Sequence, residues 1–345
     1  MKVFLSFTLL NKCAYLLSLR PSLRPTLAPR WSIARFISKL KYYNFADKVG
    51  KFMKSKILMF LVWLMSARAY ADDALPLPPE LLAMPVTDAK MLAGGAAMNE
   101  YFTQLNYQLP LASSNLVPPI LTKNLPENAR GLSTSKADVG FIQLILPSVI
   151  AVNDQLLLVR QALVDLQQRA GDYTPDEQAW LQKLAQHYGL QQVDIKQLLN
   201  HVNSLPIGMV LAQAIDESGW GRSRFARQGD AIFGEHLPRG WPHYISTDHG
   251  RIKLAAYNTV YQGVAAYMYN INTQVSYAEL RRLRAEYSAR GGATGYQLVD
   301  GLQHYSIRGW HYVNDLKALI RHHHLDSYNK AKLSSHQWQW IEFSR

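Results

Sequence analysis

The chain has 345 residues, of which 48% are hydrophobic and 18% charged, and these values exclude a largely disordered protein. The formal net charge of +12 would suit a nucleic-acid partner, but the whole excess lies in residues 1–71, which hold 13 Lys and Arg and one acid. Residues 72–345 hold 24 basic and 24 acidic residues, so we expect no nucleic-acid partner for the globular part.

The basic N-terminal segment contains the three parts of a secretory signal peptide in the correct order. Lys54 and Lys56 form the positive start, Ile57 to Met65 is an apolar run of nine residues, and Ala69 to Ala71 is an A-x-A cleavage site. Because a membrane-spanning helix needs about 20 apolar residues, the run is too short to be a permanent anchor. We therefore predict a signal peptide at 53–71 and no stable membrane span after its cleavage.

A signal peptide that begins at Met53 makes that methionine the expected start of the protein. Residues 1–52 are then an upstream extension that is not part of the fold. Cys13 is the only cysteine and lies in this extension, so the mature chain would lack thiols for disulfides, nucleophilic catalysis or zinc binding.

The next segments in chain order are a Pro-rich lead-in at 72–135 and a helical segment at 136–200. We expect the lead-in to be flexible or extended, with one short helix near 88–105. Pro147 should kink or divide the first long helix of the helical segment. A second helix is predicted from Thr174, because a Thr cap followed by Pro and then Glu at the third position is a helix-start signature.

The remainder is predicted to form a helical domain at 201–330 and a C-terminal tail at 331–345. Two further helices are expected around 259–272 and 315–325. The alternating stretches 244–247 and 252–257, separated by Asp-His-Gly, predict one small β-hairpin. The expected fold class is mainly α (α+β).

The stretch "PIGMVLAQAIDE" predicts a helix, with Ser204 as its N-cap, and two adjacent acids at its end. At 100° per residue, Glu217 falls on the edge of the apolar face, whereas Asp216 points away and should be solvated. Desolvation would raise the pKa of Glu217, which is what a general acid requires near neutral pH. The alternative is that Glu217 pairs with a nearby arginine, Arg222, Arg224 or Arg227.

Four blocks in this order resemble bacterial glucosaminidase domains, glycoside hydrolase family seventy-three, and within it the Bax-type periplasmic proteins. The blocks are "AIDESGWG" with "DAIFG" (Ala214–Gly221 and Asp230–Gly234), "YMYNINTQVSYAELR" (Tyr267–Arg281), "YSIRGWHYVNDLKALIR" (Tyr305–Arg321), and the upstream "FIQLILPSVIAVNDQLLLVRQAL". The similarity extends from about Lys136 to Tyr328.

The resemblance implies a lysozyme-like helical domain with one small β-hairpin, preceded by an additional helical segment. It also implies a peptidoglycan hydrolase that cleaves N-acetylglucosaminyl bonds of glycan strands in the periplasm or cell envelope of a Gram-negative bacterium. The family's catalytic glutamate corresponds to Glu217, as general acid. No cofactor is implied, and His236, His243 and His249 lack the tight spacing of metal ligands.

The second carboxyl group remains open at this point, because the predicted hairpin contains no glutamate. Asp248 and Glu235 are the candidates, and assistance by the substrate's acetamido group or by a tyrosine is the alternative. The candidate substrate-binding residues are Trp220, Phe233, Trp241, Tyr257, Tyr305 and Tyr312. The missing hairpin glutamate keeps two other functions open, a non-catalytic peptidoglycan-binding scaffold and a lytic transglycosylase.

Overall fold

The computed structural model describes residues 75–127, 132–169, 171–237, 241–247, 250, 252–335 and 337–344. These residues belong to one structural unit, Ala74–Arg345. The predicted extension at 1–52 and signal peptide at 53–71 lie outside the described residues.

Helices dominate this unit, as the sequence predicts. They are α1 (Gly95–Gln104), α2 (Thr134–Gln168), α3 (Pro175–His187), α4 (Ile195–His201), α5 (Ile207–Ser218), α6 (Arg224–Gly229), α7 (Val260–Thr273), α8 (Ala278–Ser288), α9 (Gly295–Leu298) and α10 (Trp310–His322). Short 3-10 helices lie at Pro79–Leu81, Val275–Tyr277, Val299–Leu302 and Leu325–Lys330. Helix α3 begins at the predicted capping box, in which Thr174 and Glu177 each bind the other's backbone N–H.

The strands are short and form three small sheets. They are β1 (Lys90–Leu92), β2 (Leu116–Val117), β3 (Ile120–Thr122), β4 (Tyr244–Ser246), β5 (Lys253–Ala255), β6 (Lys332–Leu333) and β7 (Gln339–Phe343). Strands β4 and β5 form the predicted hairpin, with Tyr244 opposite Ala255. The mainly α fold class with a small hairpin is confirmed.

The lead-in and the tail are joined by parallel strand pairing, so parts of the lead-in are extended, the second of the two predicted conformations. Strand β7 lies between β1 and β3, with Lys90 opposite Ile341 and Ile120 opposite Gln339. Strands β2 and β6 pair in the same way. Strands of two to five residues carry too little alternation to be recognised, and their partners lie at the other end of the chain.

Helix α2 is continuous through Pro147, so of the two predicted effects the proline does not divide the helix. Pro147 has no N–H to donate to the carbonyl of Gln143, but the Tyr107 hydroxyl donates to that carbonyl at 3.2 Å. In the described ranges, α2 is the one helix long and apolar enough to cross a membrane by length and composition, yet 78% of its most apolar window is buried. It therefore forms the centre of the core.

Helix α5 carries the predicted site and is packed on nearly all sides. Its N-cap position is Pro206, and the prediction that Ser204 caps it was wrong. The residue before a proline favours an extended conformation, so the helix begins only after Pro206. The Asn329 side chain replaces the missing cap, because its Oδ1 accepts the Gly208 N–H at 2.9 Å.

Candidate active site

The Ser-Gly-Trp-Gly segment that follows Glu217 ends α5 at Ser218, one residue after the glutamate. Gly219, Trp220 and Gly221 follow the helix with φ values of 56°, 61° and 69°, a run of left-handed backbone that glycine tolerates best. The Ser218 hydroxyl donates back to a carbonyl of the last helical turn and accepts the Gly221 N–H at 2.8 Å. The chain thus turns sharply and leaves Glu217 on the final turn.

The Glu217 carboxyl is partly buried and faces the backbone of Gly234. A Cβ placed on Gly234 would lie 3.8 Å from Oε2 of Glu217, so the missing side chain leaves this space open. Burial raises the pKa of Glu217 and Asp216 adds to the rise, whereas a hydrogen bond from Tyr312 and the charge of Arg308 oppose it. The net pKa is raised, which favours the proton-carrying form that a general acid needs.

The alternative that Glu217 serves as an arginine partner finds no support in the contacts of the three arginines nearest in sequence. Arg222 forms an ion pair with Asp138. Arg224 and Arg227 donate to backbone carbonyl groups.

Asp216 is paired and mostly buried, so the expectation that it is solvated was wrong. Its side chain is 16% exposed and forms an ion pair with Arg308. Arg308 also contacts Asp315 at 2.9 Å and lies over the Tyr312 ring at 4.8 Å. The pair therefore fixes the segment before α10, the helix that carries Tyr312, against α5.

Glu235 is the second carboxyl group that the structure places in this region. Its backbone carbonyl accepts the Ala255 N–H at 2.9 Å, so it lies alongside strand β5 of the hairpin. The Tyr257 hydroxyl donates to Oε2 at 2.7 Å, and the Asn270 amide donates to Oε1. Burial raises the pKa of Glu235 to about 7, although both hydrogen bonds act to lower it.

Glu217 and Glu235 both raise the pKa values of the same three tyrosines. Burial raises the pKa of Tyr277 to about 12, and the charges of Glu235 and Glu217 contribute. The pKa values of Tyr267 and Tyr305 are raised well above normal, again by burial first and in part by both glutamates. The two carboxyl groups therefore belong to one electrostatic neighbourhood.

Several predicted substrate-binding rings form the packed wall of this neighbourhood. Tyr305 donates to the Phe233 carbonyl at 3.0 Å, and its ring is parallel to that of Tyr312 at 5.6 Å between centroids. Phe233 in turn stacks on Tyr267 at 3.9 Å. Phe233 and Tyr312 are buried, so they offer position and hydrogen bonding rather than an open stacking surface.

The predicted tryptophans lie in two different places. Trp241 is 37% exposed, donates Nε1–H to the Ala256 carbonyl at 3.0 Å and contacts the Tyr257 ring beside the hairpin. Trp220 is half-buried and packs edge-on against Phe141 of α2. Of the two, Trp241 presents the more open aromatic surface.

Sequence reasoning missed three polar residues of the site, Gln213, Tyr267 and Asn270. Gln213 precedes Glu217 by four residues and so lies on the same side of α5, which is the one signal that could have identified it. Tyr267 and Asn270 lie on α7, and nothing local in the sequence relates them to Glu217.

Asp248 and His249 lie outside the described residues, so a catalytic role of Asp248 stays a prediction. Among the residues that the structure does describe, no group of three or more His, Cys, Asp or Glu side chains is arranged to hold a metal ion.

A helical fold that brings two carboxyl groups with raised pKa values to one group of tyrosines suits a glycosidase, which typically uses two carboxyl groups. Residues 193–325 match the family model described as "Glucosaminidase: Mannosyl-glycoprotein endo-beta-N-acetylglucosaminidase". Residues 193–325 are thus similar to a glucosaminidase domain, and this match supports a glycosidase.

Among the known proteins that are similar to this chain are one sequence relative and two solved structures. "Protein bax" of Escherichia coli (strain K12) is 28% identical over 208 residues, which cover 58% of this chain and 74% of that protein. The catalytic domain of the autolysin Auto from Listeria monocytogenes is similar at 17% identity and a TM-score of 0.29, over 49% of this chain and 96% of that one. The glycoside hydrolase domain of Salmonella typhimurium FlgJ is similar at 20% identity and a TM-score of 0.27, over 41% and 80%.

Proposed function

We propose that this protein is an exported peptidoglycan hydrolase, an endo-β-N-acetylglucosaminidase with Glu217 as its general acid. The observation that carries the proposal is the partly buried Glu217 carboxyl with a raised pKa, facing the open space beside Gly234. The match at 193–325 to a family model named for an endo-β-N-acetylglucosaminidase supports the substrate class.

In this mechanism the protonated Glu217 carboxyl donates its proton to the glycosidic oxygen while the bond between that oxygen and the anomeric carbon breaks. Glu217 becomes a carboxylate, and the Tyr312 hydroxyl stabilises the new charge by hydrogen bonding. Positive charge develops on the sugar ring at the same time, and a second group must stabilise it or activate the incoming water.

Glu235 is our candidate for the second group. The hydrogen bonds from Tyr257 and Asn270 hold its carboxyl in place and stabilise its ionised form. With a pKa of about 7, Glu235 can exchange a proton near neutral pH, as a base that activates the incoming water must. Asp248 and the acetamido group of the substrate are the alternatives.

The predicted signal peptide at 53–71 would deliver the protein to the periplasm or cell envelope, where its partners are the glycan strands. The exposed Trp241 and the half-buried Trp220 are proposed to contact sugar rings at the edges of the site, because tryptophan offers a broad flat surface with a polar edge.

The test is to incubate purified sacculi with the protein and to identify the released ends by mass spectrometry. The matched variants are Glu217→Gln, which removes the proposed acid, and Glu286→Gln, which makes the same change on the exposed side of α8. We expect reducing N-acetylglucosamine ends with the wild type and Glu286→Gln, and a loss of about 10²–10⁴-fold with Glu217→Gln.

The two other functions give different results in the same assay. Anhydromuramic ends would indicate a lytic transglycosylase. Binding to sacculi without any release would indicate a scaffold that retains the fold, and it would overturn the enzymatic proposal.

A further inference from the structure

A series of hydrogen bonds between buried residues of α7, α5 and α10 leads to the Glu217 carboxyl. The Tyr267 hydroxyl on α7 donates to Oε1 of Gln213 on α5, and Nε2 of Gln213 donates to the Tyr312 hydroxyl on α10 at 2.9 Å. Tyr312 in turn hydrogen-bonds to the Glu217 carboxyl. The side chains of Gln213, Tyr267 and Tyr312 are fully buried, so water does not compete for these bonds.

The donors and acceptors fix the direction in which each hydrogen bond of this series is donated. Once Glu217 has released its proton, its carboxylate only accepts hydrogen bonds, so the Tyr312 hydroxyl then points its single proton at Glu217. The Tyr312 oxygen is then free to accept from Nε2 of Gln213, and this requires Oε1 of Gln213 to face Tyr267. Tyr267 donates to that oxygen and thereby holds the amide in the required orientation.

We infer that Gln213 is a positioning residue, whose amide, held by Tyr267, directs the Tyr312 hydroxyl proton onto the Glu217 carboxyl. Donation from Gln213 also polarises the Tyr312 hydroxyl and strengthens it as a donor to Glu217. Because Glu217 gains negative charge as it releases its proton, an oriented donor stabilises the transition state more than the ground state. The catalytic part of this inference rests on the proposed role of Glu217 as general acid.

Other groups that face Glu217 are left in place when Gln213 changes. Asp216 raises the pKa of Glu217 and Arg308 lowers it. The charges of Glu217 and Glu235 both raise the pKa values of Tyr267, Tyr277 and Tyr305. A neutral substitution at Gln213 therefore changes the hydrogen bond from Tyr312 without altering a charge.

The test measures the pKa of Glu217 directly in the full protein, by NMR titration of side-chain ¹³C-labelled glutamate. The Glu217→Gln variant assigns the resonance. Gln213→Met removes both the oxygen and the NH2 group of the side-chain amide at nearly constant volume. Tyr267→Phe is the milder change, because it removes only the hydroxyl that holds the amide and keeps the ring on Phe233.

We expect both variants to raise the pKa of Glu217, and Tyr312→Phe to raise it by roughly half to one unit, the shift that corresponds to one neutral hydrogen bond. Adding Gln213→Met to Tyr312→Phe should produce no further shift, because Gln213 acts only through Tyr312. A general acid loses activity as pH rises through its pKa, so the alkaline limb of the pH profile should move upward in the single variants while the maximal rate falls.

Tyr261→Phe is the control, because Tyr261 is a buried tyrosine on the same helix as Tyr267, and it should leave the pKa of Glu217 unchanged. Thermal unfolding of each variant confirms that it is folded. An unchanged pKa in folded Gln213→Met or Tyr267→Phe, or an equal shift with and without the Tyr312 hydroxyl, overturns the inference.

The two proposals fail separately in these measurements. If the wild type releases no sugar ends but the pKa shifts occur, the hydrogen-bond chain stands and the enzymatic proposal does not. If Glu217→Gln abolishes release but Gln213→Met leaves the pKa of Glu217 unchanged, only the positioning role of Gln213 is wrong.

Discussion

The turn that follows Glu217 allows backbone strain and steric overlap to be measured separately with two matched substitutions. Gly219 and Gly221 both have left-handed φ values, 56° and 69°. A Cβ on Gly219 would meet nothing within 4 Å, whereas a Cβ on Gly221 would lie 2.8 Å from the Phe141 ring and 3.2 Å from Leu125. Gly219→Ala therefore measures the cost of the left-handed backbone alone. Gly221→Ala measures the same cost together with the steric overlap between the new Cβ and Phe141.

The magnitudes follow from these two terms. The left-handed conformation costs an alanine about 1–2 kcal/mol at either position. Phe141 is 4% exposed and belongs to the central helix α2, so it cannot withdraw freely, and overpacking of this kind adds about 1–3 kcal/mol. At about 2–4 °C per kcal/mol for a domain of this size, the melting temperature should fall clearly further in Gly221→Ala.

Urea unfolding followed by tryptophan fluorescence gives the comparison, provided that the slope with denaturant is the same for the wild type and both variants. Equal destabilisation by the two substitutions would falsify the steric argument, because it would show that Phe141 and Leu125 adjust at no cost. A larger effect of Gly219→Ala would contradict the assignment of open space at that position.

Three further predictions concern the site and the core. Because burial raises the pKa of Glu235 from 4.5 to about 7, stability should fall as pH rises across that interval, and Glu235→Gln should reduce this dependence in unfolding experiments. Gly234→Ala would place a methyl group 3.8 Å from Oε2 of Glu217 at a residue with a φ of 62°, so we expect the melting temperature to fall about as much as in Gly219→Ala and sugar release from sacculi to fall as well. Tyr107→Phe should destabilise the wild type by about 1–3 kcal/mol and the Pro147→Ala background by less, because an alanine at that position supplies the carbonyl with a backbone N–H of its own.

Short sequence patterns predicted α5, the helix that carries Glu217, and the hairpin beside Glu235. Three features depend only on residues within one or two helical turns, which is why they could be recognised in the sequence. They are the capping box at Thr174, the apolar face of α5 and the glycines after Glu217. The hairpin was also predicted, although its strands are shorter than expected. Ser204 is not the cap because the helix begins only after Pro206, and the side chain of Asn329, a distant residue, accepts the Gly208 N–H instead.

The expectation for Asp216 failed for a related reason. Helical periodicity places Asp216 away from the apolar face, and on an isolated helix that direction leads to solvent. Here the segment before α10 covers it and supplies Arg308. Periodicity gives the direction of a side chain but not the element that packs in that direction.

The sequence by itself determined where α5 begins and ends to within a few residues, and that Glu217 would stand on its packed edge, because these properties depend on residues close in the chain. Only the tertiary structure decided what surrounds that carboxyl. Glu235, Gln213 and Tyr312 come from different elements. The pKa of Glu235 and the hydrogen bond from Gln213 to Tyr312 depend on burial and on contacts across the fold. The same holds for β7, whose place between β1 and β3 arises from pairing between opposite ends of the chain.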